Sequence, residues 1–144
     1  GNSGVLLTTA LYEKHAPDRT FLILDAGMND LMRPALYDAH HDIVPLREPS
    51  ADTPSATYDV VGPICESTDK FAVARDLPQV APGDRLAFMS AGAYGAVLSS
   101  SYNARPLVPE VLVTGDRFDI VRRRPSFDEM VELEQVPDWL TQTA

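Results

Sequence analysis

Several features are scarce in this sequence of 144 residues, and each scarcity excludes a class of protein. The single cysteine, Cys65, cannot form an internal disulfide. No apolar run approaches the roughly 18 residues that a membrane-spanning helix needs. The first residues also lack the basic-then-apolar pattern of a secretory signal. We therefore expect a protein of the reducing cytoplasm with no membrane partner.

Positive charge is scarce as well. Twelve Lys and Arg residues stand against 21 Asp and Glu residues, which gives a formal net charge of -9. A protein that binds nucleic acid or an anionic membrane needs a basic face, so we expect neither partner. The one basic run, Arg122 to Arg124, lies at the end of a predicted strand and is more typical of a solvated sheet edge than of a phosphate site.

Metal-ligand spacing is also missing. His40, His41 and Asp42 are adjacent, but neighbouring residues of a strand point to opposite faces of the sheet. No further spaced His or Cys follows, as a zinc site would require. We therefore predict no metal site.

The chain is nevertheless long enough, at 44% hydrophobic residues, for one domain with its own core. Short apolar runs separated by turn signals predict an all-β, mostly antiparallel barrel or sandwich with short helices at both ends. We predict a single domain over 1–144, made of a linker helix in 1–15, a β domain in 20–124 and a C-terminal helix and tail in 126–144.

The element predictions rest on spacing and on turn residues. Leu7, Ala10 and Leu11 are three and four apart, which predicts a helix over 5–14. A capping-box pattern at Ser126 to Glu129 predicts a second helix. Gly115-Asp116 is typical of a two-residue hairpin. The predicted strands are 20–25, 42–47, 58–61, 70–75, 85–89, 109–114 and 117–123, with a type II turn at 81–84 and a helical turn at 31–37.

The loop from Gly62 to Asp69 concentrates chemistry at a predicted sheet rim. Cys65, Glu66 and Asp69 supply a thiol and two carboxylates within five residues. The ordinary interpretation is that the cysteine is a small buried hydrophobe and that Glu-Ser-Thr-Asp is a polar turn. From this loop alone, the ordinary interpretation is favoured.

Arg33 and Tyr37 are four residues apart on the predicted helical turn. This spacing places a guanidinium and a phenol on one face, where they could hold a carboxylate. The alternative is that Arg33 only pairs with Asp30 or Asp38 at the surface, a contact worth little.

Tyr94 is flanked by small residues, so nothing beside it hinders a flat ligand. The alternative is that Gly92 and Gly95 only let the chain turn at a strand end.

Five segments in this order resemble the C-terminal domain of the diaminopimelate decarboxylase family, which is a pyridoxal-phosphate family of the alanine-racemase-like fold type. The resemblance runs from residue 1 to about residue 133. It implies an N-terminal (β/α)8 barrel that carries the cofactor lysine, and this barrel is absent from the sequence. In chain order, the segments are Asp25-Ala-Gly-Met-Asn-Asp-Leu-Met-Arg-Pro-Ala-Leu-Tyr37, Gly62-Pro-Ile-Cys-Glu-Ser-Thr-Asp69, Ala91-Gly-Ala-Tyr-Gly95, Ser101-Tyr-Asn-Ala-Arg-Pro106 and Pro109-Glu-Val-Leu-Val113.

The resemblance also implies roles for five residues in the decarboxylation of meso-2,6-diaminopimelate to L-lysine by a homodimer. Cys65 would be the catalytic proton donor and Glu66 would bind the distal ammonium, both reaching across the interface to the second subunit. Arg33 and Tyr37 would bind the distal carboxylate, and Tyr94 would contact substrate and pyridoxal 5'-phosphate, all three beside the barrel of their own chain.

Some residues qualify the resemblance. Related ornithine and arginine decarboxylases carry Cys-Asp where this chain has Cys65-Glu66, which favours diaminopimelate. Thr68 stands where the family usually has glycine. Neither Lys14 nor Lys70 stands where the cofactor lysine would, so we expect the isolated chain to be inactive.

Two other hypotheses remain open. One is a related amino-acid decarboxylase with another substrate. The other is a free-standing β module whose acidic rim binds a protein partner, with Cys65 incidental.

Overall fold

The computed structural model describes residues 1–141. Its internal contacts divide the chain into two units, Gly1–Asn103 and Ala104–Ala144, and each is described by itself. The single domain over 1–144 stays a prediction. The end of the predicted tail, residues 142–144, lies outside the described residues.

Strands dominate the described residues, so the all-β prediction is confirmed. Within those residues, none of the helices has the length and apolar character that crossing a membrane requires. The strands are β1 Leu6–His15, β2 Thr20–Leu24, β3 Ile43–Pro45, β4 Ser55–Val61, β5 Lys70–Pro78, β6 Arg85–Phe88, β7 Glu110–Thr114 and β8 Arg117–Arg122. The helices are α1 Arg33–Tyr37, α2 Phe127–Val131 and α3 Asp138–Thr141, with 3-10 turns at Ala96–Leu98 and Tyr102–Ala104.

The first unit is built on a six-stranded sheet with the order β3-β6-β1-β2-β4-β5. All pairs are antiparallel except β2 with β4, which is parallel. Arg75 of the edge strand β5 contacts the segment that leads into the other edge strand, β3: its guanidinium donates to the His41 carbonyl and lies 3.0 Å from Nδ1 of His40. The sheet therefore curls into a nearly closed barrel.

The core of this unit lies inside the curled sheet. Leu22, Leu24 and Val60 are fully buried, and the rings of Phe71 and Phe88 pack with centroids 4.4 Å apart. Burying each such aliphatic side chain contributes about 1.5–3 kcal/mol. Leu22, Ile23 and Leu24 of the predicted strand are all buried, so this short apolar run is covered on both faces of the sheet.

The predicted helix over 5–14 is wrong, because this stretch is β1. Thr8 and Ala10 point inward and are buried, while Leu7 and Leu11 point outward. These exposed leucines produced the apparent helical spacing. β1 pairs with β2 on one side and β6 on the other, and its register shifts between Ala10 and Tyr12.

The sequence predicted two turns correctly, although it failed to predict strand β1. At the predicted type II turn, Gly83 has φ +92 and the amide of Asp84 donates to the carbonyl of Ala81 at 3.0 Å. In the second unit, β7 and β8 pair antiparallel up to Thr114 and Arg117, so Gly115 and Asp116 form the predicted two-residue loop.

The capping box of α2 is also present, since Ser126 accepts from the amide of Glu129 and Glu129 accepts from the amide of Ser126.

Candidate functional site

The loop that carries Cys65 and Glu66 connects β4 to β5 at the rim of the sheet, as predicted. The amide of Gly62 donates to the carbonyl of Asp69 at 3.0 Å, which closes the loop at its base. Inside the loop, the amide of Glu66 donates to the carbonyl of Ile64 at 2.8 Å. Cys65 is a free, exposed thiol and Glu66 is exposed beside it. The interpretation of Cys65 as a buried hydrophobe is therefore wrong.

The carboxylate of Asp69 holds this loop from inside. Asp69 is only 3% exposed. One of its oxygens accepts from the amide of Ile64 at 2.7 Å, and the other accepts from the amide of Met28 at 2.7 Å. The same carboxylate lies against Gly62, where an added Cβ would overlap Oδ2 of Asp69. One buried side chain thus joins the Cys65 loop to a segment forty residues earlier.

Glu66 is held as an ionised, accessible carboxylate. Its Oε1 accepts from the amide of Thr68 at 3.3 Å and from the hydroxyl of Ser67 at 3.1 Å. These hydrogen bonds, the backbone bond from Thr68 above all, lower the pKa of the Glu66 carboxyl below its ordinary value. The exposed carboxylate is therefore charged at neutral pH and can accept a cation.

Thr68 fits the loop although a β-branched residue restricts backbone freedom. It is not among the non-glycine residues with positive φ, so its backbone does not require glycine. Its amide donates to Glu66, and its hydroxyl lies 3.6 Å from the sulfur of Met28.

The turn of residues 27–30 prepares the start of α1. The carboxylate of Asp30 accepts from the amide of Gly27 and from the side-chain amide of Asn29, both at 2.9 Å. Asn29 is fully buried. Buried polar groups that are hydrogen-bonded in this way fix a turn in one conformation.

Arg33 and Tyr37 lie at the two ends of α1, as the predicted helical turn requires. Arg33 is half-buried and Tyr37 is exposed, and α1 ends at Asp38 in the left-handed conformation. Among residues 1–141, Arg33 forms no ion pair, so the alternative pairing with Asp30 or Asp38 does not occur. Both groups remain available to a carboxylate ligand.

Tyr94 projects from a tightly held segment and is 63% exposed. Its φ of +61 is uncommon for a residue with a side chain. The segment is held by the amides of Ala91 and Gly92, which donate to the carbonyls of Gly4 and Gly1 at 2.8 and 3.1 Å. The small neighbours allow this close backbone approach and also leave the phenol accessible.

The turn of residues 27–30 connects these parts of the site. Met28 is bonded to Asp69 of the Cys65 loop. Asn29 accepts from the amide of Ser100 at 2.9 Å, and Ser100 follows the Tyr94 segment in the chain. The structure thus links the Arg33, Cys65 and Tyr94 segments through one turn.

Sequence reasoning missed Asp69 and Asn29 as organising residues. The sequence groups the Asp69 carboxylate with Cys65 and Glu66 on one loop without indicating that it is buried, and no pattern distinguishes Asn29. No local sequence pattern indicates that a polar side chain is buried, because its burial depends on strands that are distant in sequence.

Among the described residues, Tyr94 is the candidate for contact with a planar cofactor. Within residues 1–141, no three His, Cys, Asp or Glu side chains are grouped to hold a metal ion. Lys14 and Lys70 lie exposed on β1 and at the start of β5. The accessible phenol of Tyr94 between small residues fits contact with a flat aromatic group.

Comparison with known proteins gives a consistent family. Residues 2–92 match the model of the pyridoxal-dependent decarboxylase C-terminal sheet domain. A diaminopimelate decarboxylase of Zymomonas mobilis is 49% identical over 142 residues, covering 96% of this chain and 32% of the relative. The same enzyme of Pseudomonas fluorescens is 51% identical over 129 residues, covering 90% of this chain and 30% of the relative. The chain thus spans about a third of the length of these relatives.

Solved structures agree with the sequence matches. Diaminopimelate decarboxylase from Helicobacter pylori, complexed with L-lysine, superposes with a TM-score of 0.84 at 41% identity over 92% of this chain and 32% of that one. The enzyme from M. jannaschii superposes with a TM-score of 0.90 at 34% identity over 96% of this chain and 31% of that one. A Chlorella virus arginine decarboxylase, at 22% identity and a TM-score of 0.63, shares the fold.

Proposed function

Because this chain belongs to the pyridoxal-dependent decarboxylases, as their C-terminal sheet domain, we propose that it completes the active site of a diaminopimelate decarboxylase. The reaction is the decarboxylation of meso-2,6-diaminopimelate to L-lysine and CO2. The observation that carries this proposal is the exposed Cys65–Glu66 pair on a loop that Asp69 ties to the turn before Arg33.

The substrate carries an ammonium and a carboxylate at its distal end, and side chains of complementary charge recognise these two groups. Glu66 is ionised and exposed, and it accepts the distal ammonium. Arg33 and Tyr37, four residues apart on α1, bind the distal carboxylate by a forked charge-assisted contact and a hydroxyl hydrogen bond. A substrate that lacks one of these groups leaves a charge unpaired, at a cost of several kcal/mol.

The residues of this chain bind, orient and protonate. Pyridoxal 5'-phosphate, when bound, supplies the electron sink that stabilises the carbanion left after CO2 departs. Tyr94 contacts the cofactor through its accessible phenol. Cys65 donates a proton from its thiol to the reacting carbon, a general-acid role that typically contributes 10²–10⁴-fold to the rate.

The partners in this proposal are a barrel domain and a second subunit. The barrel of the same protein carries the cofactor lysine, since neither Lys14 nor Lys70 is assigned that role. In the homodimer, Cys65 and Glu66 serve the site of the other subunit, whereas Arg33, Tyr37 and Tyr94 serve their own. A reducing compartment such as the cytoplasm keeps the Cys65 thiol free.

The test uses the full-length decarboxylase that contains this chain, with release of CO2 and L-lysine from diaminopimelate as the measurement. We expect Cys65→Ala to lower kcat at least 100-fold, because the proton donor is lost. We expect Glu66→Gln mainly to raise KM, because the ammonium loses its counter-charge.

The matched control is Glu48→Gln, an exposed carboxylate in the loop before β4, which should leave both constants unchanged. A full-length protein that consumes ornithine, arginine or lysine in preference to diaminopimelate would contradict the substrate assignment. Decarboxylation that survives Cys65→Ala unchanged would contradict the role of the thiol, and lysine production by the isolated chain would contradict the need for a barrel.

A further inference from the structure

We propose that Asp69 is a positioning residue that holds the Cys65–Glu66 loop in register with the turn leading to Arg33. The inference rests on the proposed function, because it assigns to Asp69 the alignment of side chains that touch the substrate. Asp69 itself contacts backbone groups of both segments and acts through them.

The first argument is the way the two oxygens of Asp69 are divided. Oδ2 accepts from the amide of Ile64, the residue before Cys65, and Oδ1 accepts from the amide of Met28, five residues before Arg33. Both distances are 2.7 Å, at the short end of the range for N–H donors, as expected for bonds to an ionised acceptor. Only a carboxylate offers two acceptors in this geometry.

The second argument is that Asp69 fixes the backbone next to the thiol. The amide of Ile64 is held by Asp69, and the carbonyl of Ile64 accepts from the amide of Glu66 at 2.8 Å. The peptide units on either side of Cys65 are thereby anchored while its side chain stays exposed. A displacement of the carboxylate would move Cys65 and Glu66 together.

The third argument is that the two segments meet at a packed contact which leaves no space for adjustment. Ile64 is 7% exposed and lies against Gly27, where an added Cβ would sit 3.0 Å from Ile64 Cδ1. The Asp69 carboxylate is also tightly packed, since it lies so close to Gly62 that a Cβ added to Gly62 would overlap it. The carboxylate can therefore neither be lengthened nor shifted without moving one of the two segments.

These contacts separate Asp69 from an ordinary turn residue. An ordinary polar turn bonds to its own neighbours, as Glu66 does with Ser67 and Thr68. Asp69 instead joins the loop of Glu66 to the turn before Arg33, and these two side chains carry the opposite charges proposed for substrate recognition. Since a misplacement of about 1 Å can cost 100-fold in rate, this alignment matters for catalysis.

The test compares Asp69→Asn with wild type in the full-length enzyme loaded with cofactor. Asparagine keeps the shape but replaces one acceptor by a donor that faces a backbone amide. We expect kcat per loaded site to fall about 10- to 100-fold and KM for diaminopimelate to rise, with cofactor absorbance unchanged. Asp69→Ala should be more severe, and Asp52→Asn, an exposed carboxylate in the loop before β4, should match wild type.

Amide hydrogen exchange gives a second measurement that does not depend on activity. In wild type, the amides of Met28 and Ile64 should exchange slowly, and in Asp69→Asn both should exchange at least tenfold faster. Fast exchange of either amide in wild type would overturn the proposal even if the variant fails to fold. Gly62→Ala, which displaces the carboxylate without altering it, should reproduce the exchange pattern of Asp69→Asn.

The outcomes separate this inference from the proposed function. If Cys65→Ala and Glu66→Gln are impaired while Asp69→Asn keeps kcat/KM within twofold, the positioning role is refuted and the function stands. If Asp69→Asn lowers only the melting temperature and cofactor occupancy, Asp69 is structural and the positioning role is again refuted. If Cys65→Ala and Glu66→Gln behave like wild type, the proposed function itself fails.

Discussion

Residues 1–103 enclose a core of buried apolar side chains, whereas none of the apolar side chains described in residues 104–141 is buried and most are exposed. The core cluster of the first unit runs from Ala10 to Phe88 and includes fully buried leucine, valine and phenylalanine side chains. In the second unit, Phe118 of β8 is 72% exposed, and Leu112 of β7 and Trp139 of α3 are exposed as well.

This difference shows how stability and function are distributed along the chain. Every residue proposed to touch substrate or cofactor lies in the first unit, on loops or on the short helix α1, and this unit has a sheet with its own core. The second unit keeps its local structure through a hairpin and a capping box, which contribute far less than a buried core. Three predictions test this comparison, from the largest effect to the smallest.

The largest effect is expected from a matched pair of leucine substitutions. Leu22→Ala removes a fully buried side chain from β2 and should lower the free energy of unfolding by about 2–5 kcal/mol. Leu112→Ala removes the same atoms from β7, where the side chain is 63% exposed. This substitution should change the free energy of unfolding by less than about 0.5 kcal/mol. Urea denaturation of the isolated chain measures both, and equal losses would refute the contrast between the units.

A buried hydroxyl provides the intermediate effect. Tyr58, 1% exposed, donates to Glu13 at 2.8 Å and accepts from the amide of Val80 at 3.3 Å. Tyr58→Phe leaves the Val80 amide without this acceptor and should cost about 1–3 kcal/mol. Tyr12→Phe, on an exposed ring of β1, is the control and should cost almost nothing. If the two variants unfold at the same urea concentration, the Tyr58 hydroxyl does not stabilise the sheet.

Acid titration should give the smallest effect, because it reports on a single carboxyl group in each unit. In the second unit, the bonds from Arg123 and Ser126 lower the pKa of Glu129 from 4.5 to about 2. In the first unit, burial raises the pKa of Asp25, but the bonds from the Thr9 amide and the Thr8 hydroxyl outweigh it and lower that pKa below 3.8.

Because both values are lowered on folding, the stabilisation is complete above the ordinary pKa and is lost as pH falls through the folded pKa. We therefore expect α2 to persist to about pH 2. Carboxyl NMR titration measures both groups, and Glu129→Gln should abolish the pH dependence of α2. A Glu129 carboxyl that titrates near 4.5 would show that the capping box does not form.

The sequence predicted local features well and buried contacts poorly. The apolar run at 20–24, the hairpin at Gly115-Asp116 and the capping box at Ser126 are each specified by neighbouring residues. Their local chemistry is sufficient because each satisfies its own backbone groups.

The failure at β1 has a physical cause. Its outward face carries Leu7 and Leu11, and the register shift between Ala10 and Tyr12 breaks the alternation that marks a strand. The inward pair, Thr8 and Ala10, was the available signal for a strand, but two exposed leucines concealed it. Only the pairing with β2 and β6 decides the conformation.

For the candidate site, the sequence indicated the side chains that are proposed to touch ligands and missed the side chains that hold their segments in place. The segments that resemble the decarboxylase family contain Cys65, Glu66, Arg33, Tyr37 and Tyr94. Asp69 and Asn29 bond to segments forty and seventy residues away, and no spacing along the chain encodes such contacts.

The pairing of β1 with β6 has a consequence for the order in which the sheet can fold. β1 can form its hairpin with β2 as soon as residue 24 is made, but its other edge waits for residues 85–88. At roughly 5–20 residues per second, ribosomal synthesis of the intervening chain takes on the order of seconds. During that time, the edge of β1 that later pairs with β6 has no partner strand. An unpaired strand edge can pair with another chain and so promotes misassembly. Nascent chains arrested before residue 85 should therefore be more sensitive to protease than chains arrested well after residue 100.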